Sequence, residues 1–326
     1  MLALVLPAFA DDAKVLPKGV LRTYIVPVYS FATGQYDADG EKVDLDFSGA
    51  TIDKAALFNL GGAIEYGAND WISAAVQWTP GYTFSTTFEG DNALLDDANA
   101  KGPAEVFIGA KFQIVGPKAP VQNNMFRVSA ATGVMLPTAF NYDPAEEAGK
   151  IGTEEFNIGV TKNATGLGAR FYADYVINDM FFFNLYSQFK YLLPVDAEKT
   201  NYSNYATAAA LGVADKQVDY GYELTLEAEP HFNTMVTDGV ELSVGVPVTY
   251  VTAPAPKYDG DALEDVNPLV DDTSSNSLYV KPSVSTFFMK LPVPMEFKVG
   301  YELPLMGKNV QARNNVVFQI KSYMKF

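Results

Sequence analysis

Alternation of apolar and polar residues with a period of two constrains this chain more than any other feature. In 218–230, VDYGYELTLEAEP, one set of alternate residues is Val218, Tyr220, Tyr222, Leu224, Leu226 and Ala228. The other is Asp219, Gly221, Glu223, Thr225, Glu227 and Glu229. Successive side chains of a strand point to opposite faces, so this segment has one greasy face and one acidic face. The pattern returns in 57–66, 71–79, 105–114, 240–250 and 295–303. Further strands read at about 20–33, 124–137, 167–177, 181–193, 277–290 and 312–326. The helical i, i+3, i+4 pattern is nearly absent, and the total is about twelve strands.

The links between these strands alternate in length. Short ones fall at 68–70, 116–123, 178–179, 231–239 and 292–294, and long ones at 34–53, 85–102, 139–164, 194–216 and 254–276. Only the hairpin around Met306 and Gly307 departs from this order. Short turns at one end and long loops at the other are the mark of a membrane-spanning barrel. A sheet facing lipid cannot leave backbone groups unpaired at an edge, so it must close. The expected fold is all-β: a closed antiparallel transmembrane β-barrel of about 12 strands, with short periplasmic turns, long extracellular loops and both termini periplasmic. Its greasy face meets the outer-membrane lipid bilayer and its polar face the lumen. A secreted sandwich or lipocalin-like barrel also alternates, but it lacks a systematic loop asymmetry. Tyr66, Trp71 and Tyr175 near short turns, and Tyr82, Tyr191 and Tyr250 near long loops, fit two interfacial girdles.

The opening MLALVLPAFA is apolar and ends Ala8-Phe9-Ala10 before Asp11-Asp12, which reads as a residual signal peptide over 1–10. Residues 11–326 then form a single barrel domain. The piece before the first strand is too short for a plug domain, but long enough to tuck into the lumen as a small gate. The formal net charge of −16 argues against a nucleic-acid partner. The absence of cysteine excludes disulfides and thiol chemistry. The final strand ends on Phe326, which resembles the assembly signal of bacterial outer-membrane proteins and implies contact with the outer-membrane assembly machinery.

The polar phase supplies the candidate lumen residues. They are Arg127, Arg170 and Asp174 on neighbouring strands, then Lys190, Asp219, Glu223 and Glu227, and then Glu241, Lys281, Glu296, Lys298 and Glu302. Both signs are present, so unlike charges facing across a narrow lumen either hold the wall by ion pairing or line a wet path. Twelve strands lie between a filled interior and a wide aqueous channel, which favours a narrow pore.

No catalytic residue, cofactor or metal ligand set is expected. The acidic stretch YDADGEKVDLD has the look of a calcium loop at Asp37, Asp39 and Glu41. As an EF-hand it fails, with Gln35 at the first ligand position and Asp46 at the twelfth, so a solvated loop is the plainer reading. Some outer-membrane barrels of about this strand number are phospholipases with a Ser/His pair. Here His231 is the only histidine, reads at a short turn, and has no serine nucleophile motif beside it.

LPKG at 16–19, Tyr36-Asp37-Ala38-Asp39-Gly40, GPAEVFIGAKFQI at 102–114, GVMLPTAF at 133–140 and IGTEEFNIGV at 151–160 follow one another in this order. The chain thereby resembles the transporter-like outer-membrane barrels associated with phenol-degradation meta-pathways, distant relatives of the long-chain fatty-acid channels. It departs from them at Pro103-Ala104-Glu105, where a Gly-Asp pair is usual, and at Ala139, where Gly is usual. The resemblance implies passive entry of small hydrophobic or aromatic compounds and carries over no binding residue. The expected function is an outer-membrane passive channel for a small-molecule solute. The alternative is a non-conducting barrel whose long acidic loops act in adhesion, partner binding or envelope structure.

Overall fold

The computed structural model describes residues 12–47, 50–90, 96–267 and 272–326. The expected signal peptide over 1–10 lies outside the described residues. Twelve wall strands among the described residues form the ring: β1 (Val20–Tyr36), β2 (Lys54–Asn69), β3 (Ile72–Glu89), β4 (Val106–Gly116), β5 (Phe126–Leu136) and β6 (Gly166–Val176), then β7 (Phe181–Leu192), β8 (Tyr222–Thr237), β9 (Val240–Gly245 and Val248–Ala253), β10 (Ser275–Val280 and Ser283–Phe288), β11 (Met295–Lys308) and β12 (Val310–Lys325). Each pairs antiparallel with the next. The ring closes where β1 meets β12, from Val20 opposite Lys325 to Tyr36 opposite Val310. Closure leaves no open edge, as a lipid-facing sheet requires. Strands of 11 to 18 residues are long enough to cross a tilted bilayer span.

Alternation sets what faces out. Ile64, Val76, Ile108, Leu167, Phe171, Leu185, Phe189, Leu226 and Phe318 are all exposed on the outer face. A band of this extent in water would be a severe aggregation patch, whereas acyl chains solvate it at no cost. Tyr66, Trp71, Tyr175, Tyr191 and Tyr250 are exposed near the strand ends, where the girdles were expected, and Tyr82 is half-buried.

Prolines interrupt one side of the wall. Pro230, Pro247 and Pro282 lie on β8, at the break in β9 and at the break in β10. Lacking an N–H, none can donate to the ladder. Each still accepts from the next strand: Val246 N–H donates to Pro230 (3.3 Å), Lys281 N–H to Pro247 (2.9 Å) and Tyr301 N–H to Pro282 (3.1 Å). The ring thus stays closed along a diagonal seam.

The long links fold into a cap instead of standing as separate solvated loops. Leu45 and Ile52 from the first pack with Phe88, Ala98, Phe156 and Ile158 from the wall and the next two. A second cluster joins Leu192, Ala208, Val218, Tyr220 and Tyr258. Short helices, among them α1 (Pro144–Lys150) and α2 (Tyr202–Ala210), lie in the cap. Burial pushes the Tyr258 phenol up to about 12, and its hydroxyl bonds Asn204 of α2.

Two expectations need correction. Asp219 is not on the wall: it belongs to a short cap strand, Gln217–Asp219, opposite Lys257, and its carboxylate accepts from Gly221 N–H. The alternation of 218–230 runs unbroken through Gly221, which hides a turn at positive φ there. His231 is not in a turn. β8 continues to Thr237, the turn is Asp238-Gly239, and His231 faces inward. At Asp37, Asp39 and Glu41 the acidic stretch forms a turn. The Asp37 carboxylate accepts from Asp39 and Glu41 N–H (3.0 and 2.8 Å), closing its own turn. Among the described residues no group of three or more acidic, histidine or cysteine side chains is placed to hold a metal.

Candidate functional site: the lumen and its strap

The inward charges pair along the wall instead of across the lumen. Arg22 with Glu65, Arg127 with Asp174, Lys190 with Glu223 and Glu296 with Lys321 are direct register partners on adjacent strands. Arg22 Nε donates to Glu65 at 2.7 Å, Arg127 stands 3.5 Å from Asp174, and Lys321 stands 3.5 Å from Glu296. Lys190 donates to Glu223. Opposed unlike charges on one face of an antiparallel pair stabilise the pairing.

The remaining expected lumen residues follow the same phase. Arg170 donates to Gln77 at 2.6 Å and lies 4.0 Å over the Phe107 ring. That ring rests on a glycine ledge: a Cβ at Gly109, Gly133 or Gly168 would come within 2.7, 2.5 and 2.9 Å of it. Glu227 accepts from Thr249 at 2.6 Å. Lys281, 1% exposed, stands 3.9 Å from Glu302. Lys298 lies in the fields of Glu229 and Glu296, and Glu241 is half-buried at the short-turn rim. His231 Nδ1 lies 3.2 Å from a Glu229 carboxylate oxygen, and its ring stacks on Phe182 at 4.4 Å.

One side of the lumen is occupied by the chain's own start. Residues 12–18 run inward past β2–β6 as a strap. Ala13 is fully buried. Its N–H donates to both Asp174 oxygens, at 3.0 and 3.1 Å, and its carbonyl accepts from Gln113 (3.2 Å) and from the Ser129 hydroxyl. Lys111 donates to the Asp12 carbonyl at 2.5 Å, and Leu16 N–H donates to Ser73 at 2.9 Å. Gly67 makes room: a Cβ there would lie 2.1 Å from the Pro17 carbonyl oxygen. The sequence suggests only that this piece is long enough to enter. Its receptors Ser73, Gln113 and Ser129 are small or neutral residues that no motif marks.

The other side holds buried polar atoms that make no hydrogen bond within the protein. On β1, β2, β10, β11 and β12, the side-chain atoms Ser30 Oγ, Asn59 Nδ2, Ser277 Oγ, Tyr279 OH, Glu302 Oε2, Arg313 Nη1 and Asn315 Oδ1 are buried and make no hydrogen bond. They are contiguous, since Ser30 lies opposite Asn315 and Asn315 opposite Glu302. Ser277, Tyr279, Glu302, Arg313 and Asn315 share a cavity of about 30 Å³, room for a water or two. Arg313, 8% exposed, has no carboxylate at ion-pair distance among the described residues; its one partner is Gln311. The sequence reading omits Arg313, although it falls in the inward phase of β12.

With the geometry in view, the chain has the fold of an outer-membrane β-barrel. It is similar to the COG4313 outer membrane channel from Pseudomonas putida F1, with 13% identity, a TM-score of 0.67, and 98% of this chain and 100% of that one covered. The translocator domain of the autotransporter NalP from Neisseria meningitidis overlaps at 10% identity and TM-score 0.44, over 94% of this chain and 88% of that one. A Pseudomonas aeruginosa FadL homologue overlaps at 11% identity and TM-score 0.37, over 94% and 90%. These two scores lie below the level of a shared fold. No protein-family model matches the sequence. No curated protein matches it either.

Proposed function

We propose that the protein is a narrow passive channel for small solutes in the bacterial outer membrane. The observation that carries this reading is the contiguous run of buried polar atoms without a hydrogen bond from Asn59 and Ser30 through Asn315, Glu302 and Arg313 to Tyr279 and Ser277. Burying such groups dry costs roughly 1–3 kcal/mol each, so their concentration on the side opposite the strap supports a wetted path there. The strap, held by hydrogen bonds and not by a covalent tie, acts as a gate over the other half. Both termini and the short turns face the periplasm, the cap faces outward, and the exposed Phe326 meets the assembly machinery. Residues 1–10 are a removable export signal ahead of a single barrel domain.

Liposome swelling tests the reading. The refolded protein is expected to admit the smallest neutral solutes and to exclude disaccharides. Liposomes that swell no faster than protein-free ones would contradict it. The dense wall pairing and the packed cap favour a second reading, a closed barrel whose cap binds a partner, and that same result would favour it.

A further inference from the structure

The small cavity around Arg313 lies on the inner wall under the β11–β12 hairpin, on the side of the lumen away from the strap. Arg22 and Arg127 each face an acid across the ladder. Arg313 does not. Its partner on β1 is Ala32, and the inward place beyond Glu302 on β11 is Pro304, itself opposite Tyr279. Neither the Ala32 nor the Pro304 side chain can accept a hydrogen bond. Gln311 takes Arg313 Nη2, which leaves Nη1 without a hydrogen bond in the protein.

The free atoms that line this cavity are of two kinds. Arg313 Nη1 and the hydroxyls of Tyr279 and Ser277 can donate, whereas Glu302 Oε2 and Asn315 Oδ1 can only accept. Asn315 Nδ2 donates to the other Glu302 oxygen, which fixes Oδ1 as the free acceptor. Lys281 stands 3.9 Å from Glu302 Oε2, too far to hydrogen-bond it. Ser277 is 9% exposed and the other four residues less, so their missing partners must come into the cavity.

That arrangement selects the occupant. A carboxylate would set an oxygen against Glu302 and Asn315, and an ammonium would set its N–H groups against Arg313. A head with one acceptor and one N–H donor meets both sides. About 30 Å³ has room for two such atoms and little more. We infer that this cavity binds the CO–NH2 head of a small uncharged primary amide, its oxygen on Arg313 and Tyr279 and its N–H groups on Glu302 and Asn315. The inference deepens the proposed channel function and rests on it for the path of the solute, but its test reads binding alone.

Saturation-transfer NMR of the refolded protein in deuterated detergent follows the methyl signals of three probes of one shape. Acetamide has the full head, acetone has a methyl in place of the NH2, and acetate has a charged oxygen there. Acetamide is expected to give a saturable signal. Acetone and acetate should need about tenfold higher concentrations or more, the scale of one lost hydrogen bond to a charged group. Arg313→Met is expected to lose the saturable part, and Tyr279→Phe to raise half-saturation about threefold. Heat-modifiable gel mobility identifies the variants that fold. An acetamide signal that rises without saturating, as a cavity holding only water would give, overturns the inference. So does acetone or acetate binding as tightly as acetamide, or an acetamide curve unchanged in a folded variant. Saturable acetamide binding in a protein whose liposomes do not swell keeps the site and removes the channel. Swelling without saturable binding removes the site alone.

Discussion

The backbone N–H of Ala13 donates to both carboxylate oxygens of Asp174, 161 residues away in sequence, at 3.0 and 3.1 Å. Asp174 also accepts from Asn184 at 2.8 Å and faces Arg127 at 3.5 Å, so its orientation is set from the wall before the strap arrives. A hydrogen bond to a charged acceptor is worth about 1.5–3 kcal/mol. Asp174→Ala is therefore expected to raise the open fraction of the strap by about tenfold or more. The chain has no cysteine, so Leu16→Cys supplies a unique thiol at a strap position that is only 8% exposed. Its maleimide labelling should speed up in the double variant, and Asp174→Asn, which retains one acceptor oxygen, should fall between. Equal labelling rates in all three would mean that this contact does not hold the strap.

Two glycines separate the strap from the wall. At Gly67 a Cβ would meet the Pro17 and Leu16 carbonyl oxygens at 2.1 and 2.6 Å, and only the strap lies in the way. At Gly133 it would meet the Ile108 carbonyl oxygen at 2.4 Å and the Phe107 ring at 2.5 Å, both parts of the wall. Gly67→Ala is expected to release the strap with the barrel's unfolding temperature nearly unchanged. Gly133→Ala should destabilise the barrel itself, by about 1–3 kcal/mol as overpacking does. Heat-modifiable gel mobility reads the second effect and Leu16→Cys labelling the first.

The cap contains an acid-sensitive clip. Asp272 accepts from Lys308 at 2.6 Å and from Ser274 N–H at 2.7 Å. These bonds, that from Lys308 foremost, hold its carboxyl down at about 2 against an ordinary 3.8. A depressed carboxylate contributes stability above its unfolded value and loses it as pH falls through the folded one. Proteolysis of the cap between Ala253 and Ser275 should therefore accelerate from about pH 4 to pH 2. Asp272→Asn should cleave at a rate that does not depend on pH in that window. A wild-type profile flat over the same range would remove the clip.

The barrel is legible in the sequence because period-two alternation reports directly on which face each residue takes, and twelve alternating segments with unequal links leave few other closures. What is lost is lost for identifiable reasons. Asp219 keeps the alternation while a positive-φ glycine, Gly221, takes the chain off the wall. His231 looks like a turn residue because Pro230 precedes it, yet the strand passes through Pro230 along the proline seam. The pairing of Arg127 with Asp174 and of Lys190 with Glu223 depends on register, which alternation alone leaves open. The strap's receptors and the unpartnered atoms around Arg313 are contacts between segments far apart in sequence, and carry no local pattern.

Single-channel conductance in a planar bilayer tests the central claim most directly, comparing wild type with Glu302→Gln and Arg313→Gln. The lumen path between them predicts small ohmic steps in wild type. Cation preference should fall in Glu302→Gln, and in Arg313→Gln it should rise. A folded protein that stays silent in every form, or steps indifferent to both substitutions, would contradict a path along this side of the lumen.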